Sequence, residues 1–109
     1  MLMYMLNDAG EPELCEDYLA WALWFEDGEQ RFVAEDCVSA RDGRSKVRVS
    51  TMFIGIDTSL GSIKPPLLWE TMVFGGAMHR FCERHGSLAD AVDKHQKTVA
   101  AVKHLEGQQ

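Results

Sequence analysis

A chain of 109 residues, 46% hydrophobic and with a net charge of −6, has the size and composition of one globular domain rather than a disordered segment. Its three cysteines, Cys15, Cys37 and Cys82, are odd in number and widely spaced, which argues against a secreted disulfide scaffold. The start, MLMYMLNDAGE, has neither a basic leader nor a long apolar region, and no apolar run approaches the roughly 18 residues of a membrane helix. The expectation is a soluble protein of a reducing cytoplasm, with no membrane role.

The charge is unevenly distributed. Residues 1–42 hold eleven acids against only Arg31 and Arg41, whereas residues 43–109 are net basic. One face of the fold is therefore expected to be electronegative. Such a face disfavours direct nucleic-acid binding and favours a partner with a basic surface.

In chain order, LMYMLN (residues 2–7) reads as a strand and Asp8–Gly10 as a turn. Pro12 suits the first turn of a helix. Leu14, Tyr18, Trp21 and Phe25 recur at steps of four and three, which predicts an amphipathic helix over 13–26, stopped by Gly28. RFVAEDCV (31–38) reads as a second strand, and the Asp-Gly pair in ARDGRSK (40–46) as a hairpin turn. VRVSTMFIGI follows as a long third strand, DTSLGSIKPP (57–66) as a loop, LLWETMVFG as a fourth strand, and HRFCER (79–84) as a short fifth. Ser87 is an N-cap with Asp90 three residues on, and Leu88, Val92, His95, Val99 and Val102 form a stripe, so a last helix is expected over 88–105. Residues 106–109 are expected to fray. The whole predicts a single α+β domain: an antiparallel sheet of four or five strands with two helices packed on one face.

No string in the chain is a strong catalytic signature. Asp57 ends the third strand and Glu70 stands among the apolar residues of the fourth, where Arg48 or Arg80 would be its partner. Close together, the two acids would suit a small metal-dependent enzyme, but their spacing alone defines no geometry. His79, Cys82 and His85 carry zinc-type ligands, yet steps of three along a strand alternate faces and a fourth ligand is missing. GIDTSLG lacks the lysine of a phosphate-binding loop, and FGGAMHR is not a dinucleotide fingerprint. His95 on the apolar stripe reads as a core or boundary histidine. No catalytic residue, metal or cofactor is expected.

Two surfaces are candidates for partner binding. The first is the acidic set Glu13, Glu16, Asp17, Glu26, Asp27, Glu29, Glu35 and Asp36. Reversing Glu16, Asp17, Asp27 and Glu29 to lysine as a set is expected to spare the fold. The second surface follows from the central strands, neither side of which is purely polar; Met52, Trp69, Glu70 and Phe74 would then cover a pocket, a second copy of the chain or another protein.

The segments VRVSTMFIGID and PPLLWETMVFGG, separated by a loop containing Gly61, resemble a double motif of small uncharacterised proteins encoded by bacteriophages and prophages. The match is carried by Val47 to Asp57 and Pro65 to Gly76, with Trp21, Trp24 and Phe25 earlier and Arg80 and Phe81 later. Thr58 stands where those proteins usually place a histidine, which removes a shared Asp–His pair at Asp57. The resemblance implies a phage or prophage accessory protein acting in the host cytoplasm. Such proteins often bind and block host machinery, including ribonucleoprotein effectors of antiviral defence, by stoichiometric rather than catalytic action. The alternative it leaves is a structural or homo-oligomeric phage component.

Overall fold

The computed structural model describes residues 1–108 and has an α+β architecture. Its strands are β1 (Leu2–Leu6), β2 (Pro12–Cys15), β3 (Phe32–Ser39), β4 (Lys46–Phe53), β5 (Ile56–Asp57), β6 (Trp69–Phe74) and β7 (Cys82–His85). The helices are α1 (Tyr18–Phe25), α2 (Gly28–Arg31) and α3 (Leu88–Leu105). A four-stranded antiparallel sheet runs β3-β4-β6-β7; the expected first strand lies outside it, in a second, three-stranded antiparallel sheet β2-β1-β5.

The central strand explains the layering. Val47, Val49, Thr51 and Phe53 alternate with Lys46, Arg48, Ser50 and Met52, and the first set is fully buried. Trp69, Thr71 and Val73 lie across from them on β6. This face carries α3, and Trp24 of α1 reaches the same face with its ring edge on Phe53, centroids 5.7 Å apart. Val38, Val47, Val49, Val73 and Val102 make one apolar cluster; Phe53, Leu68, Trp69 and Ala91 make another. Full burial of a side chain such as Phe53 stabilises the fold by about 2–3 kcal/mol. Among the described residues the opposite face of the sheet, with Arg48, Ser50, Met52, Glu70, Met72 and Phe74, meets only Arg31 at the end of the short α2.

The amino-terminal third departs from the expected helix over 13–26. Asn7 Oδ1 accepts hydrogen bonds from the backbone N–H groups of Ala9 and Glu11, and Gly10 takes φ +78°. The chain therefore reverses at once, and Pro12–Cys15 pairs with β1 instead of coiling. Pro12 opens an edge strand, where its missing N–H is tolerated. The helix begins only after Asp17, whose carboxylate accepts from the N–H groups of Leu19 and Ala20. Leu14 and Tyr18 are accordingly exposed rather than docked on the sheet, and Trp21 and Phe25 anchor α1, with Trp21 Nε1 donating to Tyr4 O at 2.9 Å.

Helix α3 runs between the expected limits, with Ser87 Oγ accepting from Asp90 N at 3.0 Å. Its buried face is Ala91, His95, Thr98 and Val102; Leu88 and Val92 of the expected stripe point outwards. Ala91 lets the helix axis come close to Phe53 and Trp69, which a larger residue would not. The end of α3 is tied rather than frayed: the buried Glu106 accepts from the backbone N–H of Arg41 at 2.9 Å and of Ala77 at 2.8 Å. Those bonds hold its carboxyl below the usual range, Ala77 first. Gln109 lies outside the described residues.

Candidate interaction surfaces

Helix α1 is eight residues long, YLAWALWF, without a single charged side chain and without a fully buried one. Trp21, Trp24 and Phe25 face inwards. Tyr18, Leu19, Ala22 and Leu23 share the outward face, since i and i+4 lie one above the other on a helix. Tyr18 is 66% exposed, Leu19 70% and Leu23 62%. Met1 and Leu14 are also exposed, and together with Cys15 and Tyr18 they line a shallow groove of about 250 Å³ beside the helix. Large apolar side chains grouped in this way on a surface mark a contact site more often than scattered ones do.

The acids expected to form a partner surface divide into two sets. Glu13, Glu16, Asp17, Glu26, Asp27 and Glu29 are exposed and stand before and after α1, so they rim the apolar face at both ends. Glu35 and Asp36 are placed apart from them on β3 and are already engaged. Glu35 pairs with Arg48 at 2.8 Å, and Asp36 accepts from or shares a proton with His95 Nε2 at 2.7 Å. Asp17 and Asp27 are not free surface acids either, because they cap α1 and α2. Reversing them to lysine would cost about 1 kcal/mol each in lost caps. Reversing the set to lysine therefore costs the fold two caps, and Glu13 accepts from Asn7 Nδ2 at 2.9 Å, which leaves Glu16, Glu26 and Glu29 as the rim positions open to change.

Asp57 and Glu70 do not form a carboxylate pair. Asp57 is buried in its own turn, accepting from Ser59 Oγ at 2.6 Å, Ser59 N at 2.9 Å and Gly61 N at 3.1 Å. The Ser59 hydroxyl, the two N–H groups and the nearby Arg84 charge outweigh burial and hold its carboxyl below the ordinary range. Glu70 lies opposite Arg84 in the β6–β7 register, and Arg84 Nε meets its Oε2 at 3.1 Å. Arg84 Nη1 also donates to Ile56 O at 3.0 Å, placing the guanidinium between the two acids. The expected partners of Glu70 were otherwise used: Arg48 pairs with Glu35 and lies 4.4 Å from the Phe74 ring centre, and Arg80 stands in a turn at φ +75°. Glu70→Gln should leave the fold intact and cost about 1 kcal/mol or less, because a half-exposed Arg84 keeps an amide oxygen to bond; chemical denaturation measures it. A metal-dependent hydrolase activity abolished by that substitution, with unchanged circular dichroism, would reverse the structural assignment.

His79, Cys82 and His85 are separated by the fold. His79 Nδ1 accepts from Gly75 N at 2.8 Å within the turn, Cys82 is exposed opposite Met72, and His85 points into the core. Burial first, then the Glu70 carboxylate, pushes the Cys82 thiol up, which is the wrong direction for a thiolate nucleophile. Among the described residues no group of three or more His, Cys, Asp or Glu side chains is arranged to hold a metal ion.

On the uncovered sheet face, Met52, Met72, Phe74 and Glu70 line a groove of about 200 Å³ with Arg31 and Arg48. Trp69, expected on this second surface, is buried on the other side against Phe53. Two features escaped sequence reasoning. One is a groove of about 440 Å³ between Tyr4, Pro12, Pro65, Pro66, Trp69 and Leu88. The other is a chain of polar side chains under α3, buried except at its exposed end, Asp36. Asp36, His95, Thr51, Thr71 and His85 link in that order at 2.7, 2.7, 2.6 and 2.9 Å. It resembles a catalytic triad in its Asp–His–Thr portion, but Thr51 has no exposed surface and so cannot meet a substrate.

Comparison of the chain with protein-family models, with curated proteins and with solved structures finds no match.

Proposed function

We propose that this protein is a stoichiometric binding protein that docks the outward face of α1 into an apolar cleft rimmed by basic groups. The observation that carries the reading is an uncharged helix held by its three aromatic residues while Tyr18, Leu19 and Leu23 stay in solvent. A desolvated apolar centre with a polar rim is the usual anatomy of a recognition site. The acids at both ends of α1 select the sign of the partner's rim and raise the association rate.

The same acids argue against self-association through α1. In a two-fold contact, helices meet antiparallel or parallel, and either arrangement sets acid against acid because both ends of α1 are acidic. A different protein, basic around its cleft, removes that conflict. The resemblance to phage and prophage proteins supports a host macromolecular complex in this role, with a defence effector built around a basic channel as one target, and inhibition as the outcome.

The test is affinity capture from a bacterial host with the wild-type chain and a Glu16→Lys, Glu26→Lys, Glu29→Lys variant side by side. A partner captured by the first and lost by the second should associate more slowly with the variant at low salt, and the difference should shrink as salt screens the attraction. Equal association rates at low salt would remove the rim from the reading, and a dimer seen by light scattering would replace it with self-assembly.

A further inference from the structure

The buried Thr51, Thr71, His85 and His95, with the exposed Asp36 at the end of their chain, form a closed proton count. Four hydrogen bonds join Asp36 Oδ2 to His95 Nε2, His95 Nδ1 to Thr51 Oγ1, Thr51 Oγ1 to Thr71 Oγ1, and Thr71 Oγ1 to His85 Nε2. Each bond needs one proton, supplied by one of its two ends. Thr51 and Thr71 bring one hydroxyl proton each. With both rings neutral and Asp36 ionised, the other two must be the Nε2 protons of His95 and His85. All four bonds then point one way, from His85 towards Asp36.

One more proton fits, by reversal. His95 takes it at Nδ1 and becomes an imidazolium against the Asp36 carboxylate at 2.7 Å. Its Nδ1–H now donates to Thr51, so Thr51 turns to donate to Thr71, and Thr71 to His85 Nε2. His85 gives up its Nε2 proton and carries one at Nδ1 instead. There Asp90 and Glu83 stand at 3.8 and 4.0 Å. One proton has been taken from solvent, His85 is still neutral, and four bonds remain. Placing the charge on His85 instead would keep the original direction, but its carboxylates are beyond hydrogen-bond distance.

A second proton has no such solution. With both rings doubly protonated, each donates into the threonine pair from its own end, and one hydroxyl proton is left without an acceptor. Among the described residues every buried side-chain nitrogen and oxygen otherwise has a partner. An orphan in this position is costly, and it falls between α3, which carries His95, and the sheet.

We propose that the Asp36–His95–Thr51–Thr71–His85 chain is a one-proton switch, which stores a single added proton on His95 by reversing its hydrogen bonds and loosens α3 from the sheet when a second arrives. The charged groups around it are few. His85 is faced by Glu83 from β7, Asp90 and Lys94 from α3 and Glu70 from β6; His95 is faced by Asp36 from β3, while β4 presents only Thr51 to the chain and β6 presents Thr71 beside Glu70. Burial, first among these influences, lowers the His85 pKa from its ordinary 6.5. The sign follows: above that pH the ring is neutral in the folded and the unfolded chain, and below it the unfolded chain takes up the proton first. Stability is therefore full above about pH 6.5 and falls as the medium is acidified.

Long-range nitrogen–proton NMR of the imidazoles in the full chain, followed through a pH titration, tests the switch. At high pH both rings should be Nε2–H tautomers. Through the first step His95 should charge while His85, still neutral, changes to the Nδ1–H tautomer. Through the second, amide exchange in α3 should accelerate about tenfold or more. His85 keeping its Nε2 proton while His95 charges, or charging before it, would overturn the proposal, as would two charged rings with α3 protection unchanged. Thr71→Val should uncouple the rings, so that His95 charges without any tautomer change at His85. If that variant does not fold, the wild-type titration still decides.

Discussion

Gly55→Ala should destabilise the protein by about 3 kcal/mol or more, a large share of the roughly 5–15 kcal/mol that holds a domain of this size together. Gly55 sits where the chain leaves the four-stranded sheet for the smaller one. Its backbone is at φ +65°, in the left-handed region that side chains disfavour. A Cβ there would stand 2.3 Å from the carbonyl oxygen of Tyr4 and 2.8 Å from the Phe53 ring. The first is backbone of β1 and the second a fully buried core residue, so neither can swing aside. The close approach is itself functional: Gly55 O accepts from Tyr4 N at 2.7 Å, and Gly55 N shares the Leu68 carbonyl with Ile54 N. These bonds join the two sheets, and β1 carries the carbonyl that anchors Trp21 of α1. Thermal or denaturant unfolding should show a lowered midpoint, and α1 should loosen along with β1. Gly43→Ala is the control. It has a similar φ of +73° but no atom within 4 Å of the added Cβ, so it should cost only the local conformational penalty of about 1 kcal/mol.

The contrast between these two glycines shows what could be read from the chain and what could not. The Asp42-Gly43 turn was legible because its chemistry is local: Asp42 accepts from the N–H groups of Arg44 and Ser45. Alternation placed β4 and β6, and the Ser87 cap placed α3, for the same reason. Gly55 could not be told from any other loop glycine, since its neighbour Tyr4 lies 51 residues away in the chain, on the smaller sheet. The false helix over 13–26 arose because Leu14 happens to continue the spacing of Tyr18, Trp21 and Phe25 across a strand–helix boundary. The Asn7 turn that breaks it was read only as a turn, without its consequence for the pairing of Pro12–Cys15. The buried polar chain left one faint trace. Thr51 and Thr71 hold the same parity as Val49 and Phe53 on one strand and Trp69 and Val73 on the next, a pattern that puts one hydroxyl on an otherwise apolar side of each strand. Their partners, His95 and His85, come from a helix crossing and a strand register that no local pattern contains. The choice of Arg84 over Arg48 or Arg80 as the partner of Glu70 was likewise a matter of register.

Leu19→Asp with Leu23→Asp should abolish partner binding, by about 100-fold or more, while leaving the fold in place. Each leucine would lose about 1.5–3 kcal/mol of apolar burial on docking, and residues at the centre of an interface often count for 2 kcal/mol or more on truncation. The aspartates add a second effect, since they would place uncompensated charge inside a desolvated contact. Little of this should reach the free protein. Both side chains are more than 60% exposed, and the contacts that hold α1 come from Trp21, Trp24 and Phe25 on its other side. Within α1 the Leu19→Asp charge lies near the positive end of the helix dipole, whereas Leu23→Asp opposes it at i+4 and lies near the negative end beside Glu26 and Asp27, so the free variant should lose about 1 kcal/mol. The measurement is a pair: circular dichroism with thermal unfolding on the free variant, and affinity for the captured partner by calorimetry. Loss of binding with a cooperative unfolding transition and only that small drop in melting temperature assigns the contact to the α1 face. Undiminished affinity would move the contact to the uncovered sheet face around Met52, Met72 and Phe74, where Met52→Asp is the next substitution to make. The two surfaces also differ in their response to salt. The α1 face is rimmed by acids alone, whereas the sheet face carries Arg31 and Arg48 beside Glu70, so only the first should bind more slowly as salt is raised.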